Sequence, residues 1–248
     1  MEIDLSDIGA GYRELPPDRH SRHAPTDRLQ PSLFQYDYLA LSTLSADVRR
    51  LLEQVPPPKQ AASGIALDIG CGKSPYRVLA ESRGFRLMTL DISEESSPDF
   101  VGTVEDTRLP DGFADLVLCT QVLEHSLDPE RGLRDIHRIL RPGGHLIVTV
   151  PHIWFYHPHP SDNWRFTQEG LTRLALRTGY QPLRLLSQGG SALSFFQIGN
   201  FLLYGAIGKF GAPAYLVNNL MGRFADRLVS NALFCLNFAL LVRKPADG

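Results

Sequence analysis

Two carboxylates and two glycines have the types and spacing of a nucleoside-binding turn. Ile65-Ala66-Leu67-Asp68-Ile69 is an apolar run holding one acid, Gly70-Cys71-Gly72 follows, and a second run from Phe85 to Leu90 ends in Asp91, twenty-one residues past Gly70. The glycines let the backbone turn tightly and approach a ligand with no Cβ in the way. A carboxylate just before the first glycine repels a pyrophosphate and attracts an ammonium. Asp91 stands at the spacing where an acid meets ribose hydroxyls in a doubly wound fold. A dinucleotide turn would want a third glycine or alanine where the chain has Pro75, after Lys73-Ser74. The ligand that suits both acids is a nucleoside with a cationic amino-acid tail, S-adenosylmethionine (SAM). Asp68, Gly70, Cys71, Gly72, Asp91 and the adjacent Ile92 are its candidate contacts. The rival reading, that the two acids merely cap a turn and a helix, needs both to fall at strand ends by accident.

A second group of residues offers proton transfer and ring recognition. Histidine titrates near neutral pH and is the natural base for a hydroxyl. The chain offers His125 after Glu124, and His152, His157 and His159 in one segment, 151–167, that also holds both tryptophans. Aromatic faces interleaved with His, Asp and Arg can stack on a ring and bond its hydroxyls, which suits a sugar or another polar cyclic acceptor. His152, Trp154, Tyr156, His159, Asp162 and Arg165 are the candidate substrate contacts, and His125 and His157 the candidate catalytic groups. His125 reads equally as an acceptor anchor or as polarity at a helix start. Trp164 and Phe166 read as packing beneath a helix, with Asp162 paired to Arg165.

These residues must be positioned by one sizeable domain. The chain has 248 residues, 43% of them apolar, which is too few for two ordinary domains and linkers. A formal charge of -2, from 25 basic and 27 acidic residues, gives no footprint for nucleic acid. Cys71, Cys119 and Cys235 are odd in number and widely spaced, so neither a disulfide framework nor a metal knuckle is expected. With no secretory signal at the N-terminus, a cytoplasmic location is expected. Residues 1–33 read as a flexible arm, in which Tyr12, His20 and His23 are also candidates for the rim of a site.

The apolar pattern then sets out the elements. Phe34, Tyr38, Leu41, Leu44, Val48, Leu51 and Val55 share a helical face, ended by Pro56-Pro57-Pro58. Strands are expected at 65–69, 85–90, 100–104, 113–119, 145–150, 180–186 and 239–245, with a sharp turn at Pro142-Gly143-Gly144. Helices are expected at 76–83 and 129–140, and another after the N-cap Thr167. Strands alternating with helices imply a parallel sheet with helices on both faces, an α/β Rossmann-like doubly wound fold.

Several segments in register resemble the class I SAM-dependent methyltransferases, and more narrowly the type 11-like members, over residues 36–186 and the last strand. Leu67-Asp68-Ile69-Gly70-Cys71-Gly72 matches the first motif of that family and Thr89-Leu90-Asp91 its ribose-binding strand end. Glu105-Asp106-Thr107-Arg108-Leu109-Pro110 resembles the segment whose acid meets the adenine amino group. Leu140-Arg141-Pro142-Gly143-Gly144 matches the turn before the fifth strand. The resemblance implies a seven-stranded, mostly parallel sheet with an antiparallel last strand. It places SAM across the ends of the first, second and fourth strands, and adds Glu105, Asp106 and Thr120 to the cofactor candidates. Ser74 departs from the family where many members have a third glycine. Quinone-pathway O-methyltransferases are similar around Glu124-His125, where Glu-x-x-Glu-His holds a divalent cation. Gln121 replaces the first of those glutamates, so no metal is expected. Asp162-Asn163-Trp164-Arg165-Phe166-Thr167 resembles a block of methyltransferases associated with polysaccharide and glycolipid assembly.

The resemblance implies methyl transfer to a small-molecule or carrier-linked acceptor, most readily at oxygen, with a glycan precursor as one candidate. The competing functions are a SAM-binding protein without turnover and a dinucleotide-dependent oxidoreductase, the latter disfavoured by Asp68 and Pro75. An apolar insertion at 187–230, with Lys209 its only charge between Arg184 and Arg223, is left with three readings. It is a lid, a homodimer surface, or a membrane-surface element across 190–222. The absence of a strongly basic face favours the first two.

Overall fold

A computed structural model describes residues 28–157, 160–229, 231 and 233–246. Tyr12, His20, His23 and His159 lie outside the described residues. Helix α1 (Tyr38–Leu52) leads into β1 (Gly64–Ile69), α2 (Arg77–Ser82), β2 (Phe85–Asp91), the two-residue β3 (Phe100–Val101) and β4 (Ala114–Thr120). Next come α3 (Pro129–Ile139), β5 (Leu140–Pro151), α4 (Gln168–Arg177) and β6 (Gln181–Gln188). The chain continues through α5 (Ser191–Ile207) and α6 (Ala212–Leu228) to β7 (Asn237–Arg243).

Among the described residues one seven-stranded sheet forms, in the order β3-β2-β1-β4-β5-β7-β6. The first five are parallel, with Asp68 level with Thr89 on β2 and with Leu118 on β4. β7 inserts antiparallel between β5 and β6. The order reverses between β1 and β4, and such a switch point opens a crevice beyond the strand ends.

Strand alternation divides the core into two layers. Leu67, Ile69, Val117, Cys119, Leu146, Val148 and Leu240 face Leu133, Ile136 and Leu171 of α3 and α4. Ala66, Leu116, Leu118, Ile147 and Leu241 face Val48 and Leu51 of α1 and Leu79 of α2. Helices therefore cover both faces, as the alternating pattern implied.

Two local expectations are corrected. The lead-in helix begins at Tyr38, and Phe34 is exposed. The carbonyls that would start an earlier helix are already taken: Asn219 Nδ2 donates to Leu33 and Gln35, and Gln197 Nε2 to Tyr36. Pro142-Gly143-Gly144 is a bulge inside β5, not a turn before it. Leu140 pairs with Ala114 and His145 with Leu116, so the register shifts between them. Gly143, at φ +80°, and Gly144 stay bonded to Lys244.

The insertion is a hairpin of α5 and α6. Asn200 and Asn219 join the two helices at 2.7 Å, while buried Gln197 accepts from the Ala40 amide at 3.1 Å. A Cβ on Gly222 would lie 2.9 Å from both Leu39 and Phe196, so the helices approach closely there. The polar residues that interrupt the apolar run thus fasten the hairpin to α1. No helix among the described residues is long and apolar enough to cross a membrane.

Candidate functional site

The crevice at the switch point opens into a cavity of about 950 Å³, at the upper end of the ~300–1,000 Å³ typical of small-molecule sites. One end is walled by the loops after β1 and β2, the other by the loops after β4 and β5.

At the first end, Ile69, Gly70, Gly72 and Lys73 line the wall. Gly70 has φ +65°, and a Cβ there would stand 2.4 Å from Val122. Gly72 has φ +49° and nothing within 4 Å of its absent Cβ, so its backbone faces open space. Asp91 ties the turn to β2: its Oδ2 accepts from the Gly72 amide at 2.9 Å and its Oδ1 from the Ser93 amide at 3.1 Å. Ile92 is exposed into the cavity.

Asp68 lies beneath the turn, 1% exposed, and Oδ2 has no hydrogen-bond partner among the described residues. Burial pushes its pKa up to about 7, against the opposing pull of a hydrogen bond from Ser74. Ser74 has φ +47°, the left-handed conformation that glycine adopts at no steric cost. The family's third glycine is thus explained by backbone geometry, and this chain places a strained serine there whose side chain serves Asp68.

Glu105 and Asp106 both line the cavity, with different duties. Glu105 Oε1 accepts from Ser126 Oγ at 2.5 Å and the Leu127 amide at 3.0 Å. Burial raises its pKa, but these bonds outweigh it and the carboxyl sits below its usual range. Glu105 therefore braces the loop after β4. Asp106 is exposed, its nearest cation being Arg108 at 3.8 Å. Three cofactor candidates, Asp68, Cys71 and Thr120, do not line the cavity. The Cys71 side chain is buried away from the cavity, and its thiol is pushed up to about 12, by burial first and then by Asp68. Thr120 pairs with Thr149 inside the sheet, because β4 runs one residue further than its apolar pattern suggests. Gln121, at φ +56°, and Val122 form the wall instead.

At the second end, Glu124, His125 and His157 converge. Their ligand-type atoms all lie within 4.8 Å of one another, and the two imidazoles meet edge to face with centroids 5.1 Å apart. His125 Nδ1 donates to the Ser161 carbonyl and His157 Nδ1 to the Phe155 carbonyl at 2.9 Å. A carbonyl can only accept, so both protons sit on Nδ1 and both Nε2 lone pairs remain available. Burial, then neighbouring His157, lowers the His125 pKa. Glu124 is fully buried and neither of its oxygens has a hydrogen-bond partner among the described residues. Burial pushes its pKa up to about 8.

The loop after β5 clamps this group. Ser161 Oγ donates to the His125 carbonyl at 2.7 Å, Asn163 Nδ2 to the same carbonyl at 3.1 Å, and Trp164 Nε1 to Ser126 at 2.8 Å. Trp154 lines the cavity. Behind it, Phe155 stacks on Phe201 of α5 at 3.6 Å. The hairpin thus backs the loop. Among the described residues it contributes none to the cavity wall.

Four substrate candidates do not line the cavity. Asp162, with a side chain 1% exposed, is paired to Arg165 and accepts from the His157 amide at 3.0 Å. Arg165 also donates to the Phe155 carbonyl at 2.8 Å, so the pair holds the loop from behind. His152 Nδ1 bonds the Phe166 carbonyl at 2.8 Å and its ring lies against Phe238, outside the cavity. Tyr156 is exposed and does not line the wall. Phe166 is buried as expected, whereas Trp164 is partly exposed.

Arg28, Asp37, Ser161 and Asn237 line the cavity without having been singled out in the sequence, and Gln121 lines it although it was read only as the replacement of a metal-binding glutamate. Only Gln121 and Ser161 carried a signal, through their proximity to Glu124 and His157.

Residues 67–148 match the profile of a family described as a methyltransferase domain. Over 96 residues the chain is 33% identical to an uncharacterized methyltransferase of Mycobacterium tuberculosis, an overlap of 35% of this chain and 39% of that protein. The chain spans about a third to a half of the length of the curated relatives it matches. The structure of the 1,6-didemethyltoxoflavin N1-methyltransferase of Burkholderia thailandensis, with 1,6-didemethyltoxoflavin and S-adenosylhomocysteine bound, is similar with a TM-score of 0.55 at 14% identity, over 82% of this chain and 79% of that one. The cyclase SpnF is similar with a TM-score of 0.55 at 19% identity, over 82% and 83%. Residues 67–148 thus match a methyltransferase domain, and the glycine turn, the acid after β2 and the sheet order around them are those of the class I SAM-dependent methyltransferase fold.

Proposed function

We propose that this protein transfers the methyl group of SAM to an oxygen of a polar cyclic acceptor, small or carrier-linked, with a glycan precursor as the leading class. The observation that carries this reading is one continuous cavity joining the glycine turn to the Glu124-His125-His157 group. The cofactor end suits SAM chemically: the unpartnered oxygen of buried Asp68 calls for a cation such as the methionine ammonium. Gly70 and Gly72 allow close approach, Asp91 presents its carboxylate to the ribose, Ile92 packs on the adenine, and Asp106 accepts from the adenine amino group. Bound SAM supplies an electrophilic methyl group on a sulfonium.

The chain's own work is to hold the acceptor in line and to receive its proton. Alignment alone supplies much of the acceleration of such a displacement. His125 Nε2, neutral and facing the cavity, takes the acceptor proton, while Trp154 supplies an aromatic face for the ring. Exposed Phe195, Leu202, Phe210 and Phe224 on the hairpin support contact with a second copy or with a membrane surface; the latter suits a lipid-carried acceptor. Similarity to a cyclase keeps a second reading in view, SAM binding without methyl transfer, since one fold hosts many chemistries.

Calorimetric titration with SAM, S-adenosylhomocysteine and NADH in separate runs tests the cofactor. Micromolar binding of the first two and none of NADH is expected; absence of SAM binding withdraws the enzymatic reading. Formation of S-adenosylhomocysteine on addition of glycan or phenolic acceptors then separates turnover from binding alone.

A further inference from the structure

We infer that Glu124, His125 and His157 form a binding site for one divalent transition-metal cation, placed at the acceptor end of the cavity. Three independent features of the geometry converge on this. The first is Glu124 itself. A fully buried carboxylate with no hydrogen-bond partner is costly unless something positive or donating completes it. It lines the cavity, and Arg165, the cation of the adjacent loop, is committed to Asp162.

The second is the pair of imidazoles. Both donate Nδ1–H to backbone carbonyls, which fixes the tautomer and leaves the Nε2 lone pairs unspent, that of His125 4.0 Å from Glu124 Oε1. His157 Nδ1 also lies 3.2 Å from Asp162 Oδ2. Such partners are the outer shell that orients metal-binding histidines and raises their basicity.

The third is spacing. His125 Nε2 stands 4.0 Å from Glu124 Oε1, and no pair in the group exceeds 4.8 Å. Tetrahedral ligands at ~2.0–2.2 Å from a metal are about 3.4 Å apart. Closing the gap takes about 1 Å of side-chain movement, which an unbonded carboxylate can make. Gln121 does not weigh against the site, because its amide bonds Thr149 at 3.2 Å and His157 arrives from a different loop to supply the third ligand.

Two imidazoles and a carboxylate select zinc, cobalt, manganese or iron over magnesium or calcium, which prefer all-oxygen sets. Three protein ligands leave an open position facing the cavity. This deepens, and rests on, the proposed methyl transfer: the cation would hold the acceptor oxygen and lower its pKa so that its proton leaves to solvent, and His125 then acts as a ligand and not as the proton acceptor.

The test is titration of chelator-treated protein with Co²⁺, followed by visible absorption, beside SAM titration of the same samples. One equivalent of Co²⁺ with a ligand-field band is expected. Glu124→Gln and His157→Ala should each weaken Co²⁺ binding at least tenfold. Unchanged SAM affinity in all of them shows that the fold is intact and separates failure of the metal site from failure of the cofactor reading. Glu124→Gln should also raise Tm in the absence of metal, by removing the buried acid, and lose the Tm increase that Zn²⁺ gives the parent. No stoichiometric Co²⁺ uptake by the parent, or uptake indifferent to both substitutions, overturns the proposal.

Discussion

At the glycine-turn end of the cavity, Gly70, Gly72, Asp91 and Ile92 each follow the end of a parallel strand closely, and neighbouring strands deliver them to one place. At the histidine end, Glu124 and His125 come from the loop after β4, His157 and Trp154 from the loop after β5, and Ala40 and Leu41 from α1. The first wall is positioned by backbone ladders. The second is positioned by side chains, through Ser161, Asn163, Arg165 and the hairpin behind Phe155. A ladder-built wall suits a ligand common to a fold, and a wall of side chains suits one that differs between its members, because loops change without disturbing the sheet.

The sharpest break of the first wall is Gly70→Ala. It forces a Cβ to within 2.4 Å of Val122 at φ +65°. The left-handed strain and the overpacking together should cost about 2–4 kcal/mol, read as a fall in Tm with loss of SAM binding. The matching break of the second wall is His125→Ala. Turnover should fall by about 10²–10³-fold with the SAM dissociation constant unchanged; full turnover would remove His125 from the chemistry.

Asp91→Ala is smaller and returns to the first wall. Losing the bonds to the Gly72 and Ser93 amides together with the proposed ribose contact should weaken SAM by about 10–100-fold. Binding as tight as the parent's would mean that Asp91 only shapes the turn.

Asp68 makes the comparison pH-dependent. Only its ionised form attracts an ammonium, and burial holds its pKa near 7. SAM affinity should rise with pH up to about 7, by about tenfold per unit at most, with proton release visible by calorimetry in buffers of different ionisation enthalpy. Asp68→Asn should flatten that dependence. Stability of the SAM-free protein runs oppositely: the raised folded pKa contributes stability that is full below the ordinary aspartate value of 3.8 and is lost as pH rises through about 7.

The smallest expected effect refines the same turn. Ser74→Gly relieves about 1–2 kcal/mol of left-handed strain and loses a hydrogen bond worth about 1 kcal/mol. The net change in stability should stay within about 1 kcal/mol, while the pH midpoint of SAM binding moves up.

The sequence by itself determined the sheet, its two-layered core and the glycine-turn wall. Strand alternation, strand-end acids and glycines are local patterns, and parallel pairing turns them into neighbours without further information. It also placed Phe166 in the core and paired Asp162 with Arg165. Only the tertiary structure decided the rest. Burial separated Glu105, which braces a loop, from Asp106, which faces the cavity, although the two are adjacent in the chain. Side-chain bonds from 161–165 took Asp162 and Arg165 out of the substrate wall. Long-range bonds from Asn219 and Gln197 delayed the lead-in helix, and His157 was brought to Glu124 from a loop thirty-three residues away. Such contacts depend on which loops meet above the sheet, and no periodicity records that; it is fixed when both layers of the core have packed.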